Sequence, residues 1–140
     1  MLLKSLLCLL LVWGGISIGV AFIATPAKFL APTLTLPVAF DVGRQTFKIY
    51  NDVEIGLSIL AITLALSTNR RLRNLLDFVV PISIVMAQAL WLFPHLEARV
   101  LLLQAGNTPE PSYLHALYVV AEIVKILALF FAALIRLRSL

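Results

Sequence analysis

Cysteine is almost missing from this chain of 140 residues. The one thiol, Cys8, leaves no intrachain disulfide, no CxxC redox pair and no cysteine-built zinc site. Charge is scarce too. Asp, Glu, Lys and Arg together make up 13% of the residues, against roughly 25% in soluble domains, which argues against a water-soluble globule. No GxGxxG, Walker A, HExxH or GxSxG string occurs, and nothing in the sequence argues for an enzyme. What is plentiful is apolar: hydrophobic residues account for 61%, and the mean hydropathy is +1.03. The net charge of +4 comes from Lys+Arg 11 against Asp+Glu 7. Those cations sit in short segments between apolar runs, as in a membrane protein and not as in a nucleic-acid binder. The expected partner is the lipid bilayer.

A spanning helix needs about 20 mainly apolar residues to cross a hydrocarbon core roughly 30 Å thick. Four stretches qualify, at about 2–24, 47–66, 75–93 and 113–135. Their patterning lacks the period of two that barrel strands show, and lipid forces each backbone amide to be satisfied within its own segment. The expectation is an all-α fold: a single integral membrane domain, residues 1–140, built as a four-transmembrane-helix bundle. Thr25-Pro26 is expected to stop the first helix. That first run also has a rival reading as a signal peptide, with Lys4 followed by an apolar core. A cut after Ala24 would put bulky Phe22 where a small residue belongs, and a cut after Ala27 would lie beyond a proline. Gly15-x-x-x-Gly19 on the same run offers a smooth face for another helix.

Lysine and arginine placement sets the expected topology. Lys4, Arg70, Arg71, Arg73, Arg136 and Arg138 fall on the side of the termini; Lys28, Arg44, Lys48 and Arg99 fall on the other. The first group crowds close to helix ends, so both termini are expected in the cytoplasm of a cell (inner) membrane protein. Arg70, Arg71 and Arg73 suit anionic headgroups. The opposite side holds Pro26 to Thr46, too apolar for a free linker and too rich in proline to span, hence an expected interfacial or re-entrant segment. The third helix is expected to run on past His95 as far as Gly106, and Ser112 is a plausible N-cap for the fourth.

Ionisable groups inside the spans carry the most information, because a charge at the bilayer centre costs at least about 2.5–3.5 kcal/mol. At 100° per residue, His115, Tyr118, Glu122 and Lys125 share one face of the fourth helix. Asn51, Glu54 and Ser58 share a face of the second, and Asp77, Pro81, Gln88 and Trp91 a face of the third. The stripes are expected to meet inside the bundle, in the half away from the termini, with Arg44 and Lys48 closing the cluster from above. Glu122 and Lys125 can pair at i, i+3. Such groups either satisfy one another as a register-fixing network or form a working site. His95 and His115 are weak candidates for a metal or haem; no cofactor is predicted. Asp77 is placed at the start of the third helix, where a carboxylate favours the dipole, and Met86 reads as packing.

Thr25-Pro26-Ala27-Lys28-Phe29, Asp41 to Phe47, Asn51, Glu54 and Gln88 to Pro94 together resemble a family of small bacterial four-helix membrane proteins. That family is classed as a domain of unknown function and has a related eukaryotic transmembrane branch. The resemblance implies the four-helix architecture and supplies no catalytic residue or ligand; the Glu122–Lys125 pair departs from its pattern. Three functions stay open on the sequence. The first is a module that binds or translocates an ion, proton or small polar solute, lined by Glu54, Gln88, His115, Glu122 and Lys125, with Asn51 and Arg44 near. The second is an accessory or assembly subunit whose Gly14–Gly19 face and outer segment contact a membrane-protein partner or another copy. The third is a redox subunit holding haem or metal.

Overall fold

Backbone groups in a chain this apolar must be satisfied locally, and the computed structural model, which describes residues 2–69 and 71–138, is helical almost throughout. Four helices are long and apolar enough to cross a membrane: α1 (Leu2–Leu30), α2 (Leu36–Leu66), α3 (Arg71–Gln104) and α4 (Leu114–Leu137). No strand occurs among the described residues. The connections 31–35 and 105–113 lie at one end of the bundle, here the loop end; Leu2 and Arg138, the first and last described residues, lie at the other, the termini end. Large apolar side chains such as Leu90, Phe131 and Leu127 point outward, as a lipid-facing surface requires.

Proline does not end α1. Gly19–Ala24 forms a π-helical stretch in which the Thr25 N–H bonds the carbonyl of Val20, and the Thr25 hydroxyl donates to the same oxygen at 2.8 Å. The wider turn makes room for the Pro26 ring, which would otherwise press on the carbonyl four residues back. The same device recurs before Pro94, where Gln88–Leu92 is π-helical and Phe93 N–H bonds Gln88 O. The stretch from Pro26 to Thr46 is therefore not a proline-broken segment. It consists of the end of α1, a five-residue turn at 31–35 and the first turns of α2. At about 1.5 Å per residue all four helices exceed the roughly 30 Å hydrocarbon core, α2 and α3 by the most, so they tilt or project from it. Helix α3 runs on to Gln104, as expected, and ends where Gly106 adopts φ 80°.

The bundle is layered along its axis. Its termini half is a dry core of Leu6, Leu9, Leu10, Trp13, Ala61, Phe78, Val85, Leu129, Ala132 and Ala133, with Met86 packed against it. Gly14 lets α1 approach α4 closely: a Cβ there would lie 2.9 Å from the Phe130 ring. Close packing of this kind, not exclusion from water, is what holds helices together in lipid. The bottom of this half is tied by Arg136, which pairs with Asp77 at 2.5 Å and donates to Asn74 Oδ1 at 3.0 Å. Asp77 is thus an ion-pair partner for α4 nearly two turns inside α3, not the residue that starts that helix. Arg71, Arg73, Lys4 and Arg138 are exposed, and Arg70 lies outside the described residues. At the loop end Arg44 of α2 bridges Asp41 at 2.8 Å and Glu97 of α3 at 3.0 Å.

Candidate functional site

Above the dry core the four helices turn polar side chains inward. Helix α4 brings Glu122 and Lys125 from adjacent turns; α2 brings Glu54; α3 brings Gln88 from the first position of its π-helical stretch. The Lys125 ammonium sits at the centre. It donates to Glu54 Oε2 at 2.7 Å, to Glu122 Oε1 at 2.7 Å and to Gln88 Oε1 at 3.1 Å. It also lies 2.6 Å from Glu54 Oε1, so it straddles that carboxylate. The Gln88 amide returns a hydrogen bond to Glu122 Oε1 at 2.9 Å. All four side chains are at most 1% exposed. In a low-dielectric interior such charges survive only when paired and hydrogen-bonded, as these are.

Helix α1 supplies partners that the polar stripes alone did not reveal. Trp13 Nε1–H donates to Glu54 Oε1 at 2.8 Å. Tyr50 of α2 places its hydroxyl 2.8 Å from Ser17 Oγ and 3.1 Å from Glu122 Oε2, and the Lys125 ammonium sits 5.1 Å from the centre of the Tyr50 ring. Trp13 and Ser17 are spaced i, i+4, as are Tyr50 and Glu54, so each pair shares a helix face. That spacing was the available signal; an aromatic ring on an apolar helix reads as packing, which hid it.

Two features of the cluster matter chemically. Its two carboxyl groups face one ammonium, so with both ionised it is one positive charge short. In addition, the Tyr50 hydroxyl has one proton to give and two acceptors within reach. One of its two contacts must therefore be a bond donated to it, by Ser17 or by a proton on Glu122 Oε2.

Glu122 also lines a cavity. A space of about 480 Å³ on the loop-end side runs between α1, α2 and α4, walled by Phe22, Phe29, Phe40, Phe47, Tyr118 and Glu122. A second space of about 290 Å³ adjoins it, sharing Phe29, Phe40, Phe47, His115 and Tyr118 and adding Lys28, Arg44 and Arg99. Phe47 and Tyr118 meet edge to face with centroids 5.0 Å apart. The Tyr118 hydroxyl is buried and, among the described residues, has no hydrogen-bond partner.

Of the side chains the sequence singled out, Glu54, Gln88, Glu122 and Lys125 thus come together. Ser58 lies beside them, its hydroxyl donating to Glu54 O at 2.8 Å. Asn51 is buried one turn away, with its Oδ1 unpartnered among the described residues. His115 is exposed and lines both cavities instead of joining the cluster. Arg44 and Lys48 do not close the cluster. Arg44 is held by Asp41 and Glu97 at the cavity mouth, while Lys48 is exposed. His95 is exposed, with Nδ1 2.7 Å from Trp91 O. Among the described residues no three His, Cys, Asp or Glu side chains are gathered where they would hold a metal ion. Ser112 is not the N-cap of α4: the helix begins at Leu114 with Tyr113 as its cap residue, and Ser112, one position earlier, accepts from Leu114 N–H at 3.2 Å. Comparison with family profiles, curated proteins and solved structures gives no match to this chain, so the resemblance noted above assigns no family and transfers no residue role.

Proposed function

We propose that this small polytopic membrane protein binds a proton or small cation at the Glu54–Lys125–Glu122–Gln88 cluster and exchanges it with the loop-end cavity. The observation that carries the reading is the charge shortfall at a place where one of the two carboxyl side chains, Glu122, also lines a cavity. An uncompensated buried charge is expensive, so an occupant that supplies one positive charge is favoured there. Glu122 can hold a proton on Oε2 and donate it to Tyr50, which then donates to Ser17; without that proton the chain reverses, with Ser17 donating to Tyr50 and Tyr50 to Glu122. Both arrangements keep every hydroxyl bonded, so proton exchange needs no repacking.

Access is one-sided. Trp13, Phe78, Val85 and Leu129 close the cluster toward the termini, which supports a binding pocket over a continuous pore. The test follows the carboxyl C=O stretching band of wild type and E122Q in proteoliposomes by infrared spectroscopy as the pH is stepped, alongside thermal unfolding. The reading expects a protonated-carboxyl band that rises and falls with pH in wild type and is missing from E122Q, with the two unfolding midpoints a few degrees apart. A wild-type spectrum that matches E122Q at every pH, or band and fold lost together, would leave the cluster as a structural network.

A further inference from the structure

The mouth of the cavity has the opposite charge character to its floor, and this points to a second ligand. Lys28, Arg44 and Arg99 line the smaller space against the single carboxylate of Glu97. Arg44 is engaged by Asp41 and Glu97. Among the described residues, Lys28 and Arg99 have no carboxylate partner: Lys28 lies over the Phe29 ring at 5.1 Å, and Arg99 donates to the backbone carbonyl of Glu110. The Lys28 ammonium occupies the space where a Cβ on Gly43 would stand, so the absence of a side chain at 43 is what lets this cation turn into the cavity. Ser112 and His115, at the N-terminus of α4, line the same space, and the positive end of a helix dipole favours an anion.

Below this cationic rim the walls change. The larger space, about 480 Å³, is bounded mostly by apolar side chains, among them Phe22, Phe29, Phe40, Phe47 and Val119, with His115 and Glu122 also on its wall, and its size is in the range of sites for small organic ligands. Phe22 is 42% exposed on the outer surface of α1, so the cleft reaches the lipid-facing side of the bundle. Tyr118, 3% exposed with an unpartnered hydroxyl, lines both spaces; an oxygen at the junction of head and chain would accept its proton.

We infer that the cavity binds a single-chain anionic amphiphile drawn from the bilayer, its phosphate or carboxylate head between Lys28, Arg99 and the N-terminus of α4 and its alkyl chain in the aromatic cleft. Charge complementarity fixes the head, and the lateral opening fixes the source. The head site is separate from the charge-short cluster, whose Glu122 lines the larger space that takes the chain, and amphiphile binding stands whether or not protons exchange there.

The experiment uses the full chain in phosphatidylcholine nanodiscs, with radiolabelled palmitate, 1-palmitoyl lysophosphatidate, hexadecanol and inorganic phosphate as probes and empty nanodiscs subtracted. Both anionic amphiphiles bind saturably, hexadecanol at least tenfold more weakly, and inorganic phosphate not measurably. K28Q weakens amphiphile binding at least tenfold, R99Q severalfold, and K48Q, on an exposed lysine outside both cavities, not at all. If K28Q does not fold, R99Q reads the same head site. Hexadecanol binding as well as palmitate, phosphate binding as well as the lysophosphatidate, absence of saturable binding, or wild-type affinity in both K28Q and R99Q would each overturn the inference.

Discussion

Lys125 is the residue on which the buried cluster balances. Its ammonium contacts Glu54, Glu122 and Gln88 at once, so K125M leaves two buried carboxylates facing each other. Removing one partner from a buried ion pair costs about 3–5 kcal/mol, and K125M should unfold in detergent at a midpoint well below wild type. Adding E54Q and E122Q to K125M removes the stranded charges and should recover much of that loss. A triple variant no more stable than the single one would show that charge is not the cause. Trp13 makes a smaller contribution of the same kind. W13F deletes a hydrogen bond to a charged acceptor, a loss of about 1.5–3 kcal/mol, measurable by thermal unfolding as a smaller drop than that of K125M. Much of this cluster was legible in the sequence, because lipid penalises a stray Glu or Lys so heavily that its survival announces a partner. Trp13, Ser17 and Tyr50 were not, because an aromatic or a hydroxyl is cheap in an apolar helix whether or not it is used.

Helix length and helix punctuation had different legibility. The four apolar runs announced four spans, but Thr25-Pro26 read as a stop, and the π-helical stretches at Gly19–Ala24 and Gln88–Leu92 let α1 and α3 carry prolines through. No composition rule marks such a stretch, since it is set by how the whole helix seats against its neighbours. The glycines of α1 separate two roles the sequence ran together. Gly14 faces Phe130, while added Cβ atoms on Gly15 or Gly19 would touch nothing. G14A should therefore lower stability by about 1 kcal/mol through overpacking, and G15A should raise it slightly through helix propensity; equal effects in detergent unfolding would contradict this geometry. At the termini end D77N deprives Arg136 of its carboxylate at 2.5 Å. Asp77 is only partly buried, so a loss of about 1–3 kcal/mol is expected, seen as a lower unfolding midpoint. The sequence placed Asp77 by helix-dipole logic alone; its partner, 59 positions on by residue number in α4, is a tertiary fact.

Across the whole molecule, the six-against-four division of lysine and arginine predicts that both termini face the cytoplasm. Fused to the C-terminus, a fluorescent protein should be bright and a periplasmic phosphatase silent; the reverse pattern would invert the orientation. The division of the bundle into a dry half and a hollow half has an electrical consequence. Water in the cavity that reaches Glu122 from the loop end would carry the potential of that side inward, so that the transmembrane voltage would fall mainly across the packed half around Trp13, Phe78 and Leu129. One elementary charge crossing the full voltage exchanges about 2.3 kcal/mol per 100 mV. A charge that only moves between the cavity and the cluster crosses little of that drop, so loading from the loop end should be nearly electrically silent. Passage through the packed half would carry the current.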